Sequence, residues 1–296
     1  MGLGAACLWG CGSDPENNAV PAGGPGGTGG SGGAPAADSG TTDGPPVRPP
    51  CPNPRIPPGE LQNKASGPSV FGIVVGGDPG FYDAFGGTEC GLAGVRICQM
   101  GTSTCTDSDA AGQFVLGGLP SDRDIEITFE KPDHVKMLRP LHIGNVPLNL
   151  DQVRLVTYDP AVETITKTGT AFDPNKGVVL AVPIAAGDGI GGFVLPADVV
   201  ITLAPAGPAP LYSIGGESAD SLLPDELDPT LAATRFGGWA IIPNVDPGDY
   251  AVRFERNGKV CNQALPGFGY GADAEGAIRI KVVGGWDTGS IAAFCP

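Results

Sequence analysis

The chain has 296 residues, among them 49 glycines and 31 prolines, and it carries a formal net charge of −15. This length accommodates two domains of ordinary size and a tail. The acidic balance, without any cluster of lysine or arginine, argues against binding to nucleic acid and against electrostatic docking on anionic lipid. We therefore predict no nucleic-acid partner.

Residues 1–11 read MGLGAACLWGC, a short apolar run that ends in a cysteine. The run resembles the lipobox of bacterial lipoproteins, in which a signal peptidase cuts before a cysteine that becomes diacylated. The resemblance implies export, lipidation of Cys11, and contact with the membrane only through the lipid anchor. Gly12, where an inner-membrane retention signal has aspartate, favours an outer-membrane lipoprotein that faces the periplasm or the cell surface.

The same run departs from the lipobox pattern in two ways. Trp9 stands where a small residue is usual, and no basic segment precedes the apolar residues. An ordinary secretory leader with an incidental cysteine is therefore the alternative. We also expect the true start of the signal to lie upstream of Met1.

Residues 12–60 are dominated by glycine, proline and small polar residues, as in GGPGGTGGSGGAPAADSG. Such a composition cannot bury enough apolar surface to offset the conformational entropy of an ordered chain. We predict a disordered Gly/Pro-rich tether between the signal and the first folded domain.

The first domain is predicted over residues 67–156, and its centre is the stretch 94–129. Apolar residues recur there at every second position, the pattern of strands with one buried face. The sequence TDSDAAG between the first two runs is typical of a tight turn, because Asp and Gly supply side-chain-to-backbone hydrogen bonds and a positive φ. The residues that define the strands are Val95, Ile97, Phe114, Leu116, Ile125, Ile127 and Phe129.

Three motifs of this domain carry a family resemblance: G-V-x-I, then T-D-x-D-x-x-G-x-F-x-L-x-x-L-P, then I-x-I-x-F-x-K-P. Together they resemble the carboxypeptidase regulatory-like domain over residues 66–156. The resemblance implies a prealbumin-like, seven-stranded β-sandwich that is grouped with carbohydrate-binding-like folds. It implies no peptidase activity, because in that family the catalytic zinc ligands lie in a neighbouring domain.

A second, divergent copy is predicted over residues 162–296. Residues 237–254 match residues 112–129 in length and pattern, with Trp239 and Ile241 in the places of Phe114 and Leu116 and with Val245 in the place of Leu119. The alternating run ETITKTGTAF predicts a strand near the start of this domain. The fold class is therefore all-β, with two tandem prealbumin-like (Ig-like) β-sandwiches after the tether.

The cysteines predict disulfides. Of 8 in the chain, Cys7 and Cys11 belong to the leader, which leaves an even number in an exported protein that can oxidise them. A metal site is the rival interpretation, but the chain has no C-x-x-C motif, and other pairings remain open. The predicted disulfides are Cys98–Cys105, Cys261–Cys295 and, by what remains, Cys51–Cys90.

Asp107, Asp109 and Gly112 are spaced like the start of an EF-hand calcium loop. That loop needs an oxygen ligand at its fifth position and a glutamate at its twelfth, where this chain has Ala111 and Gly118. The turn interpretation is therefore favoured over calcium binding.

Two histidines, His134 and His142, match no metallopeptidase spacing. We predict that both lie on the surface or at the edge of a sandwich. No catalytic residue, metal site or cofactor is predicted, so the protein is not expected to be an enzyme.

Aromatic residues in loops are candidates for ligand contact, because flat rings stack on sugars. More often such residues plug the ends of a sandwich. The leading hypothesis is a non-catalytic structural or adhesion module at the cell surface, and the alternatives are a carbohydrate-binding module and an accessory domain of a secreted peptidase system. The expected partner is a polysaccharide or another surface protein, and the candidate aromatics are Phe81, Tyr82, Phe85, Phe268, Tyr270 and Trp286.

Overall fold

The computed structural model describes residues 58–77, 91–187, 193–215, 226–261, 263–264 and 267–296. Residues 51–296 belong to one compact unit. The predicted leader and most of the predicted tether lie outside the described residues. The secondary structure comprises α1 (Pro58–Lys64), α2 (Tyr158–Thr166), β1 (Ser69–Gly77), β2 (Arg96–Gln99), β3 (Cys105–Asp107), β4 (Gln113–Gly117), β5 (Arg123–Glu130), β6 (Met137–Ile143), β7 (Leu148–Val156), β8 (Gly177–Ala186), β9 (Phe193–Val194), β10 (Val199–Ala204), β11 (Leu211–Ser213), β12 (Leu227–Asp228), β13 (Ala240–Val245), β14 (Gly248–Arg256), β15 (Lys259–Val260), β16 (Gln263–Ala264), β17 (Ile278–Val282) and β18 (Asp287–Phe294).

The first sandwich packs a three-stranded sheet, β4-β1-β7, against the strands β3-β2-β5-β6. The alternating apolar residues predicted for strands β2, β4 and β5 all point into its core, together with Leu119 and residues of β1, β6 and β7. Phe114 and Phe129 meet there edge to face, with ring centroids 5.6 Å apart. The prediction of a seven-stranded sandwich in this part of the chain is confirmed.

The second sandwich packs strands β10, β14, β15 and β17 against strands β12-β11-β13-β8-β18. Its core includes Val252 and Phe254 of β14, Ile278 and Ile280 of β17, and the disulfide cysteine Cys261. Val245 lies in this core as Leu119 lies in the first, as the sequence match predicts.

The two sandwiches have the same strand pairing. In the first, β1 pairs antiparallel with β4 and parallel with β7, while β5 pairs with β2 and β6. In the second, β8 pairs antiparallel with β13 and parallel with β18, while β14 pairs with β10 and β17. The correspondence of these pairings confirms a tandem repeat.

Each repeat also begins with a helix that covers the outer face of its sheet. Leu61 of α1 packs on Phe71 and Ile73 of β1. Ile165 of α2 packs on Val178 of β8 in the same way. The repeating unit is therefore a helix followed by a sandwich, so α1 begins inside the predicted tether.

The two repeats share one sheet, because β6 of the first pairs parallel with β18 of the second. Residues opposite each other in paired strands point to the same face. Met137 of β6, Asp287 of β18 and Val178 of β8 lie opposite one another and form one row across the sheet. Met137 lies in the core of the first sandwich, whereas Val178 lies on the outer face of the second. The next row has Val179 in the core of the second sandwich. The sandwiches are therefore built on opposite faces of a continuous sheet, whose rows are Met137–Asp287–Val178 and Leu138–Thr288–Val179.

Two predictions about the second repeat are wrong. The run ETITKTGTAF is not a strand, because its first residues belong to α2. Trp239 and Ile241 do not take the core positions of Phe114 and Leu116. The core residues of this strand are Ala240 and Ile242, with Trp239 and Ile241 packed on the opposite face beneath α2.

The turn before β4 is held by Asp109. Its Oδ1 accepts hydrogen bonds from the amides of Ala111 and Gln113, each at 2.9 Å. Asp273 makes the same pair of bonds, to the amides of Glu275 and Ala277, before β17. The carboxylate of Asp109 is thus engaged by the backbone, which supports the turn interpretation.

None of the helices in the described part of the chain is long and apolar enough to span a membrane.

Gly112 lies in the turn before β4, and substitutions at this position test how closely that turn packs on β1. It has φ +77°, and a Cβ there would lie 2.2 Å from the carbonyl oxygen of Val74. Gly101 has a similar φ of +75° with no atom within 4 Å of such a Cβ. We expect Gly101→Ala to lower the free energy of unfolding by about 1 kcal/mol through the left-handed backbone alone, and Gly112→Ala to cost about 1–3 kcal/mol more through overpacking.

Urea unfolding of the two variants measures this difference. Equal losses in both would mean that the turn does not pack closely against β1.

Candidate functional site

Two of the predicted disulfides are present. Cys98 and Cys105 join the hairpin β2–β3, and Cys261 and Cys295 join the end of β18 to the segment after β15. The second pair is buried in the core of its sandwich. The remaining predicted residues, Cys11, Cys51, Cys90, Phe81, Tyr82 and Phe85, lie outside the described residues.

The described candidate aromatics all lie at the junction between the two sandwiches. The guanidinium of Arg139, in β6, lies 5.1 Å from the ring centroid of Phe268. The ammonium of Lys136 lies 5.2 Å from the ring of Trp286. These contacts place the rings against residues of the first sandwich, as plugs of the junction.

The hydroxyl of Tyr270 donates a hydrogen bond across the junction to Glu126 of β5. Burial raises the pKa of Tyr270, and the hydrogen bond and the negative charge of Glu126 add to this effect. The hydroxyl therefore stays protonated at neutral pH and remains a donor.

Ion pairs flank this tyrosine on the same face of the shared sheet. Arg279 lies 3.1 Å from Asp124, and Lys281 lies 3.6 Å from Glu126. The acidic partners belong to the first sandwich and the basic partners to β17 of the second. These groups are partly exposed, so each pair contributes little stability alone, and together they link the two repeats on this face.

The two histidines each contact a protein oxygen atom. Nδ1 of His142 lies 2.8 Å from Asp124, and Nδ1 of His134 lies 2.9 Å from the carbonyl oxygen of Pro132. Among the described residues no group of three or more His, Cys, Asp or Glu side chains could hold a metal ion. Both histidines lie at the surface or are half-buried, as the sequence analysis predicts.

A cavity of about 80 Å³ lies on the other face of the shared sheet, between α2 and strands β8, β13 and β18. Val135 and Val156 close it from the side of the first sandwich. Trp239, Phe172 and Tyr158 form aromatic walls, and a carboxyl group from Asp287 completes the lining. The cavity therefore lies at the seam where the first sandwich ends and α2 begins.

Asp287 occupies an unusual position for a carboxyl group. Its Oδ1 is buried and has no hydrogen-bond partner among the described residues. Burial raises the pKa of Asp287 to about 7, although the positive charge of Arg139 acts in the opposite direction. Burial likewise lowers the pKa of Arg139 to about 10, so this guanidinium remains charged at neutral pH.

Arg139 itself is 2% exposed and lies on the seam side of β6. Its Nη1 donates a hydrogen bond of 3.3 Å to the carbonyl oxygen of Gly267. Gly267 and Phe268 belong to the second repeat, so the arginine ties the loop of one repeat to the strand of the other.

Sequence reasoning did not identify Asp287 or Arg139. Their significance depends on the pairing of β6 with β18, strands that are far apart in sequence. The available signal was the arginine within the strand MLRPLHI and the aspartate that begins the strand DTGSIAAF, because buried charges in strands are rare.

Comparisons with known proteins give structural likeness only. No protein-family model matches the chain, and no curated protein matches it. Among solved structures, the Bacillus anthracis TIE protein is 10% identical with a TM-score of 0.23 over 78% of this chain, which spans about a third (34%) of that protein. The minor pilin of Streptococcus agalactiae is 10% identical with a TM-score of 0.20, over 77% of this chain and 96% of that one. The shaft pilin SpaA from Lactobacillus rhamnosus GG is 10% identical with a TM-score of 0.21, over 78% and 98%.

Asp287→Asn tests the buried carboxyl. The folded pKa is about 7 and the unfolded value is about 3.9, so the folded state binds the proton more tightly. The free energy of unfolding of the wild type should therefore fall as pH rises from about 4 to about 7 and stay lowered above that range. The variant lacks this pH dependence. The free energy of unfolding of the variant minus that of the wild type should therefore increase by on the order of 3 kcal/mol between pH 4.5 and pH 8.

Denaturant unfolding at the two pH values measures the difference, with Asp107→Asn as a matched control, because Asp107 is an exposed carboxyl paired with Arg96. A wild-type-to-variant difference that is the same at both pH values would contradict the buried, unpartnered state of Asp287.

Proposed function

We propose that this protein is an exported, lipid-anchored and non-catalytic module of a bacterial cell envelope, with a structural or adhesive role. The observation that carries the proposal is the shared sheet. It joins the two sandwiches into one body through β6 and β18. A body of this kind transmits force or presents a surface without domain motion, which a chain of independent domains does not do.

The disulfides support export. Cys98–Cys105 and Cys261–Cys295 belong to the type of structural bond that persists in an oxidising compartment. The envelope location and the anchor follow from the resemblance of residues 1–11 to a lipobox, with Cys11 as the lipidated residue.

A non-catalytic role is supported by the use of the titratable side chains at the junction. Asp124, Glu126 and Arg279 pair with one another or with neighbours across the two sandwiches. Asp109 holds a turn. These charged side chains therefore make structural contacts. An enzyme would instead hold a nucleophile next to a base.

The alternative of carbohydrate binding draws less support from the described aromatics. Phe268 and Trp286 have cationic side chains over their rings, and Tyr270 donates to Glu126. Of the six candidate aromatics, Phe81, Tyr82 and Phe85 therefore remain for a sugar platform. The alternative of an accessory domain in a peptidase system has no specific observation in its favour.

Fractionation of cells that produce the full chain tests the proposal. We expect the wild type in the membrane fraction and Cys11→Ala in the soluble envelope fraction, because lipid is the proposed attachment. Proximity labelling from the wild-type chain should modify envelope proteins.

The same preparation should be screened against polysaccharides and against a serine-hydrolase probe. Cytoplasmic location, membrane retention of Cys11→Ala, or labelling by the probe would each contradict the corresponding part of the proposal. Polysaccharide binding that is lost on Tyr82→Ala would instead establish the carbohydrate-binding alternative.

A further inference from the structure

The cavity beneath α2 is not itself one of the contacts that join the two sandwiches. The junction is held by strand pairing, by the ion pairs on the opposite face, and by Arg139 with its partners. The cavity is a partly open pocket at the seam, and its lining side chains are mostly apolar. It is therefore a candidate binding site that is independent of the proposed structural role.

Its walls are suited to a cation with an apolar body. Tyr158 and Phe172 pack edge to face with ring centroids 6.1 Å apart, and Trp239 is 7% exposed on the floor of the same space. Aromatic rings attract ammonium groups through their negative faces.

The carboxyl of Asp287 supplies the complementary charge. Among the described residues that line the cavity, Asp287 is the one that carries a charge. Its Oδ1 has no hydrogen-bond partner among the described residues. The nearby Arg139 donates through Nη1 to Gly267 and lies over the ring of Phe268, while its Nε also has no partner in that part of the chain. A buried acceptor without a partner carries a desolvation cost that a bound donor would remove.

We propose that this cavity binds a small alkylammonium ion, with its ammonium group donating to Asp287 and its alkyl part against Trp239, Phe172 and Tyr158. The volume of about 80 Å³ is smaller than a cavity of about 150 Å³ that accommodates benzene, which limits the ligand to about three to five non-hydrogen atoms.

Isobutylammonium chloride and isobutanol are a matched pair of probes, since they have the same alkyl group and differ in the charge of the donor. Titration of the full chain at pH 8, followed by calorimetry and by chemical-shift changes, should give at least about tenfold tighter binding of the ammonium ion. At pH 5 the carboxyl is protonated, and the preference for the ammonium ion should disappear.

Two variants locate the site. Asp287→Asn should reduce the affinity for isobutylammonium to that for isobutanol, and Ala161→Leu, which fills the cavity from α2 and retains the carboxyl, should abolish binding of both probes. Asp107→Asn, which removes an exposed carboxyl elsewhere, should leave both affinities unchanged. Equal affinity for the two probes in the wild type, or unchanged affinity in both cavity variants, would overturn the proposal.

Discussion

The parallel pairing of β6 with β18 is the constraint on which the rest of the structure depends. Because paired residues point to the same face, this pairing forces the core side of the first sandwich to continue as the outer side of the second. The two cores then lie on opposite faces of one sheet.

One consequence is that the second repeat needs cover on its outer face. Strands β8 and β13 carry apolar residues on both sides, with Val179 and Ile242 in the core and Val178 and Trp239 outside it. The helix α2 supplies the cover, as α1 does for β1 through Leu61. A sheet buried on both faces loses the simple apolar–polar alternation of a half-buried one.

This loss explains how far the sequence could predict the fold. In the first repeat, Ile125, Ile127 and Phe129 alternate with polar residues, and the strand and its face were predicted correctly. In the second repeat, the run WAIIP has no alternation of apolar and polar residues, so its register could not be read, and a shift by one residue exchanges the two faces. The assignment of Trp239 to the core failed for this reason. The helix α2 was missed because ETIT also fits a strand pattern, and its helical state depends on packing against β8.

The candidate site was less predictable than the fold, because it forms only where distant strands meet. Asp287 and Arg139 lie in strands of different repeats, and local sequence carries no signal of their proximity. The cysteine pairs Cys98–Cys105 and Cys261–Cys295 were predictable because each lies within one repeat. The described aromatic candidates lie at the junction of the two sandwiches, and their contacts with Arg139, Lys136 and Glu126 could be found only from the tertiary structure.

The central claim is that the shared sheet makes the two sandwiches one cooperative body. Native-state hydrogen exchange in increasing denaturant, read by mass spectrometry on peptides from β5 and β14, tests it most directly. These strands lie in the cores of different repeats. The account predicts that both exchange through one global opening with the same free energy and the same denaturant dependence. Opening free energies that differ by more than about 2 kcal/mol, with separate denaturant dependences, would show that the sandwiches unfold independently.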